Sequence, residues 1–131
     1  MTNELEVIVG HTGRNLSAYI EGVPLIIVGN NMSEVRINMH EAIMRYRDTA
    51  AHPDSRLLEP FELRFKVDAA TFINYYSDVF TKAALSRITG INERQLWHYA
   101  AGMHKPRKRQ LKRIQEGIRM LTQELNELEL L

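Results

Sequence analysis

The chain has 131 residues, of which 44% are hydrophobic and 25% charged, with a formal net charge of +1 and no cysteine. That balance excludes intrinsic disorder and a fibre, and the missing thiols exclude disulfides, cysteine-ligated zinc and thiol chemistry together. No window supplies the roughly 20 apolar residues of a membrane helix, and MTNELEVIVG lacks a basic segment ahead of a long apolar run, so a cytoplasmic, non-exported protein is expected.

Leu5, Val7 and Val9 alternate with polar or small neighbours, which predicts a strand over 4–10. After the turn-rich His11 to Asn15, Leu16, Ala18 and Ile20 alternate with Ser17, Tyr19 and Glu21 as a hairpin partner. Gly22-Val23-Pro24 turns the chain into Leu25-Ile26-Ile27-Val28, a β-branched run suited to a central strand covered on both sides. Met32, Val35, Met39, Ala42, Ile43 and Tyr46 then fall at helical spacing, with Asn31 and Glu34 as a capping pair, so 32–48 reads as an amphipathic helix on the sheet. Asp48 to Pro60, with two prolines and no period, reads as a long surface loop. Phe61, Leu63, Phe65 and Val67 alternate with Glu62, Arg64, Lys66 and Asp68 as a last strand. The first 67 residues thus form a small βββαβ domain of α+β class, and residues 68–131 an all-α domain.

In the second half the stretch Thr81 to Pro106 carries most of the information. Leu85, Ile88, Ile91, Leu96 and Tyr99 recur at helical spacing, interrupted by Gly90, where a residue able to take positive φ lets the chain bend. Thr81 can cap the first helix, and Asn92 with Gln95 forms a capping-box arrangement for the second. Gly102 stops the second helix and Pro106 opens a third. Between Val79 and Arg119 ten Lys or Arg stand against Glu93 and Glu116, a surplus of eight positive charges, whereas residues 1–68 carry seven bases against ten acids. The small overall charge conceals a polarised chain, suited to meeting a basic partner at one end and DNA at the other.

This stretch resembles the helix-turn-helix of the Cro/phage-repressor family, through Leu85-Ser86-x-x-x-Gly90-Ile91, Leu96, Tyr99, the Gly102 stop, Lys105-Pro106, and Leu111 and Ile114 closing the core. The resemblance implies a second helix lying in the major groove of double-stranded operator DNA. It places Glu93, Arg94 and His98, flanked by Gln95 and Trp97, where base edges are read. Arg94 suits a guanine O6/N7 pair, and Glu93 suits a cytosine amine or the rejection of wrong registers. Asn92, Lys82, Lys105, Arg107 and Lys108 suit phosphates. Trp97 reads equally as a dimer or core contact.

Leu111, Ile114, Ile118, Leu121, Leu125 and Leu128 are spaced as a seven-residue repeat, on a helix expected from about Pro106 to about Glu129 and roughly 35 Å long. The first two complete the DNA-binding core. Ile118, Leu121, Leu125 and Leu128 are the expected seam of a homodimer or higher homo-oligomer; the alternative is packing on the chain's own sheet. A dimer offers two recognition helices to a two-fold operator.

The first half, through Asn15-Leu16-Ser17-Ala18-Tyr19-Ile20-Glu21 and Ser33-Glu34-Val35-x-x-Asn38-x-x-Glu41-Ala42-Ile43, is similar to the HicB antitoxin family. It departs at Gly22-Val23-Pro24-Leu25, where the family commonly has Pro-Gly. The resemblance implies a degraded RNase H-like domain that binds and neutralises a small HicA-like RNA-cleaving toxin, joined to a DNA-binding domain that represses its own operon. The competing expectation is a stand-alone dimeric transcription regulator whose sheet domain binds a ligand or another protein. No cofactor, metal or enzymatic activity is expected. Asp48, Asp54, Glu4 and Glu6 do not converge on one edge, and the histidines at 11, 40, 52, 98 and 104 include no His-x-x-x-His pair.

Overall fold

A computed structural model describes residues 2–131, which are of mixed α+β class. It divides into two compact units, Met1–Asp68 and Ala69–Leu131. Among the described residues there are four strands in one mixed sheet and five α-helices. Among the described residues no helix is long and apolar enough to cross a membrane.

Unit 1 starts with β1 (Asn3–Thr12) and β2 (Asn15–Ile20), an antiparallel hairpin closed by a two-residue turn whose first residue, Gly13, has φ 61°. Such a turn needs positive φ at that position to follow the twist of the strands. β3 (Ile26–Gly29) pairs antiparallel with β2, and β4 (Phe61–Val67) pairs parallel with β1, giving the order β3-β2-β1-β4. Leu5, Val7, Val9, Leu16, Ala18 and Ile20 form the buried face, which α1 (Met32–Thr49) covers with Val35, Met39 and Ile43.

Two local devices fix α1. Asn31 accepts the amide of Glu34 at 2.9 Å, and the Glu34 carboxylate reaches back to the amide of Asn30 at 2.6 Å, so two of the donors at the helix start are satisfied. Gly29 lies so close that a Cβ there would stand 2.9 Å from the amide nitrogen of Val35, and Asn38 donates to the carbonyl of Val28 at 2.9 Å. The small residue and the amide together set how closely α1 meets β3.

One expectation is corrected in this unit, and two others gain detail. β3 is an edge strand, with Ile26 79% and Val28 54% exposed, because β4 takes the other flank of β1 and leaves β1 and β2 as the central pair. β4 lies on the opposite edge, so Phe61, Leu63 and Phe65 are only half-buried and Val67 is exposed. His40 of α1 stacks on Phe61 and the Arg36 guanidinium lies 5.9 Å from the Phe65 ring centroid, so polar side chains cover part of that margin. The segment after α1 is pinned by its own contacts. It contains a 3₁₀ turn (Ser55–Leu57), buries Leu57 completely, and donates the Asp54 amide to the Tyr46 hydroxyl at 2.9 Å. Arg56 pairs with Asp54 at 2.8 Å, and this hydrogen bond holds the Asp54 carboxyl below the usual carboxylate range.

Unit 2 comprises α2 (Ala69–Tyr75), α3 (Lys82–Thr89), α4 (Glu93–Ala100) and α5 (Lys108–Asn126). Ile73, Leu85, Ile91, Leu96 and Tyr99 form its core, with Phe72, Phe80, Ile88, Ala100, Ile114 and Ile118 packed around them. α5 starts two residues after Pro106 and stops before Glu129, so it is shorter than the apolar repeat suggests. Gly117 lets two helices meet closely: a Cβ there would lie 2.4 Å from the carbonyl oxygen of Ile88, so α3 and α5 cross backbone to backbone.

Candidate nucleic-acid interface

α3 and α4 are each eight residues long and are joined by a short bend. The Thr81 hydroxyl accepts the amide of Ala84 at 3.0 Å, and the Asn92 side chain accepts that of Gln95 at 2.8 Å, so each helix starts on its own cap. Gly90 ends α3 in the left-handed region at φ 75°. Its carbonyl accepts a 2.7 Å bond from the guanidinium of Arg113, which also reaches the Gln110 side chain at 3.1 Å. Inside the bend the Thr89 hydroxyl donates to the carbonyl of Leu85 and accepts the amide of Ile91, so this buried polar group is satisfied twice. Asn74 of α2 donates to the carbonyl of Ala100 at 2.8 Å and closes the far end of α4.

Leu96 and Tyr99 turn inward, which leaves Glu93, Arg94 and Trp97 on the exposed side of α4. Asn92 is exposed but its side-chain oxygen is engaged in the cap. Lys105, Arg107 and Lys108 are exposed in the segment that enters α5. Lys82 is half-buried, with Nζ 4.2 Å from the centroid of the Trp97 ring, a cation–π contact between the start of α3 and the middle of α4.

Not every predicted reader is equally presented. Gln95 is half-buried beside its cap. His98 is half-buried too. Its Nδ1 is enclosed without a hydrogen-bond partner, and its ring packs edge-on against His104 at 4.9 Å. The cause of this partial enclosure is the loop after α4, which folds back so that the amides of Met103 and His104 bond the His98 carbonyl. Arg113, by contrast, has a structural part that the sequence reading missed. The only cue was its helical phase, one turn before Gly117, whose backbone meets α3.

The residues of the expected oligomer seam do not share one environment. Ile118 packs against the unit's own core, and Leu128 lies beyond the end of α5. Leu111 is exposed rather than part of the core. Leu121, half-buried, and Leu125, 57% exposed, are what remains of the repeat on the distal helix.

In unit 1 the sheet face opposite α1 aligns Ile26 with Tyr19 and Val28 with Ser17, and beside them lies an apolar cleft bordered by Gly22, Val23 and Pro24. Further along, Lys66 pairs with Glu6 at 2.5 Å and Arg64 with Glu4 at 3.6 Å. These are exposed pairs of little energetic weight. Among the described residues no group of three or more His, Asp or Glu is placed to hold a metal ion. No protein family, no curated protein and no solved structure matches this chain.

Proposed function

We propose that the chain is a HicB-like antitoxin: unit 2 binds operator DNA through a Cro-like helix-turn-helix, and unit 1, as a degraded RNase H-like domain, binds and neutralises a small RNA-cleaving toxin. The observation that carries the DNA half is α4 itself. Capped at Asn92, set off from α3 by the left-handed Gly90 and backed by Leu96 and Tyr99, it presents Glu93 and Arg94 outward in a unit with ten Lys or Arg and six acids. An α-helix with outward polar side chains fits the major groove, and a basic surround neutralises the flanking phosphates.

Support for the toxin half is the resemblance of the first 67 residues, the surplus of three negative charges in residues 1–68, and a sheet face opposite α1 on which Tyr19, Ile26 and Val28 are exposed. Two copies, paired through the distal part of α5, would place two recognition helices on a two-fold site.

The DNA reading is tested by selecting duplexes from a random pool with the full chain and titrating the selected sequence. Arg94→Ala is expected to lose about 1–3 kcal/mol on that sequence and to relax preference at one base pair. Lys108→Ala is expected to weaken all sequences alike and to lower the slope of log affinity against log salt by about one unit. Equal effects from the two, or binding indifferent to salt, would overturn the reading.

A further inference from the structure

We propose that Trp97 is itself a base-reading residue and that it recognises the 5-methyl group of a thymine next to the base pair met by Arg94. This rests on the reading of unit 2 as a groove-binding module.

Trp97 is the chain's one tryptophan and is 58% exposed. It plays no part in the core, which α4 reaches through Leu96 and Tyr99 on its other side. An indole left in water forgoes a large gain from burial, so its place at the centre of an outward face calls for a contact. That face also carries Arg94, one helical turn earlier, so a surface that meets Arg94 meets Trp97.

The geometry narrows what the contact can be. Three residues of helix rise about 4.5 Å, close to the spacing of about 3.4 Å between stacked base pairs, so the two side chains address neighbouring pairs. On the major-groove edges every base presents polar atoms, and the single apolar group is the thymine methyl. A flat apolar ring at the groove floor therefore discriminates for thymine. The Lys82 ammonium, 4.2 Å from the ring centroid, occupies one face of the indole and limits its freedom to tip away. The other face and the ring edge remain for the base.

The test uses the full chain and a duplex selected by it, resynthesised with deoxyuridine in place of each thymine in turn, which removes only the methyl. The wild-type chain is expected to lose roughly threefold to tenfold in affinity at one position per half-site, the scale of one buried methyl group. Trp97→Ala is expected to lose a similar factor on the thymine duplex and to bind thymine and deoxyuridine duplexes equally. Because Trp97 is exposed, the variant keeps its fold, which its thermal melting curve would check. Wild-type indifference to every replacement, or a Trp97→Ala chain that still discriminates, overturns the inference while leaving DNA reading by Arg94 in place. A Trp97→Ala chain that loses self-association with thymine preference intact assigns the indole to a protein contact and overturns it as well. A wild-type chain that selects no sequence overturns this inference and the reading beneath it together.

Discussion

Gly117 stands in the interior of a long helix, where glycine costs about 1 kcal/mol relative to alanine. Replacing it with alanine recovers that propensity but places a methyl 2.4 Å from the Ile88 carbonyl oxygen, and a backbone atom has no rotamer by which to move aside. The steric term wins. Gly117→Ala is expected to destabilise unit 2 by about 1–3 kcal/mol, read as a lower urea midpoint with an unchanged slope; a gain in stability would show that the helices separate freely. Gly117 and Arg113 mark what a sequence withholds at this scale. Caps and bends were legible because Thr81, Gly90 and Asn92 act on atoms within three or four positions. The Arg113 bond to Gly90 spans 23 positions, and the enclosure of His98 depends on a loop conformation that no local periodicity encodes.

Periodicity placed the helices and strands within a few residues but could not say which neighbour each would have. The run Ile26-Ile27-Val28 has the composition of a central strand and lies at an edge, because the parallel pairing of β4 with β1 is decided some 30 residues further on. The seven-residue repeat of α5 likewise mixes two purposes. Ile114 and Ile118 belong to the unit's own core, and Leu121 and Leu125 extend past it. A chain ending at Arg119 keeps every core contact of α5 that packs on α3, so it is expected to fold. If the distal turns pair two copies, it sediments as a monomer at concentrations where the full chain sediments as a dimer. Identical sedimentation of the two would remove α5 from any account of assembly.

Across the whole chain the charge is divided: seven bases against ten acids in residues 1–68, and ten bases against six acids in residues 69–131. A near-zero total therefore says little about partners. An acidic unit attracts a basic protein, and the toxin reading predicts that a small basic product of the adjoining reading frame co-purifies with the full chain and leaves it as salt rises. Failure to co-purify at low salt would remove the antitoxin reading and leave the DNA reading standing. The Arg113 clamp on Gly90 bears on synthesis. The bend between α3 and α4 is fastened by a residue translated well after α4 itself, so a nascent chain carries α4 before it can hold that helix at a fixed angle. If α4 reads an operator as proposed, that reading becomes available only once α5 has left the ribosome, and a prematurely terminated product would have the exposed face of α4 without the hinge pin that aligns it.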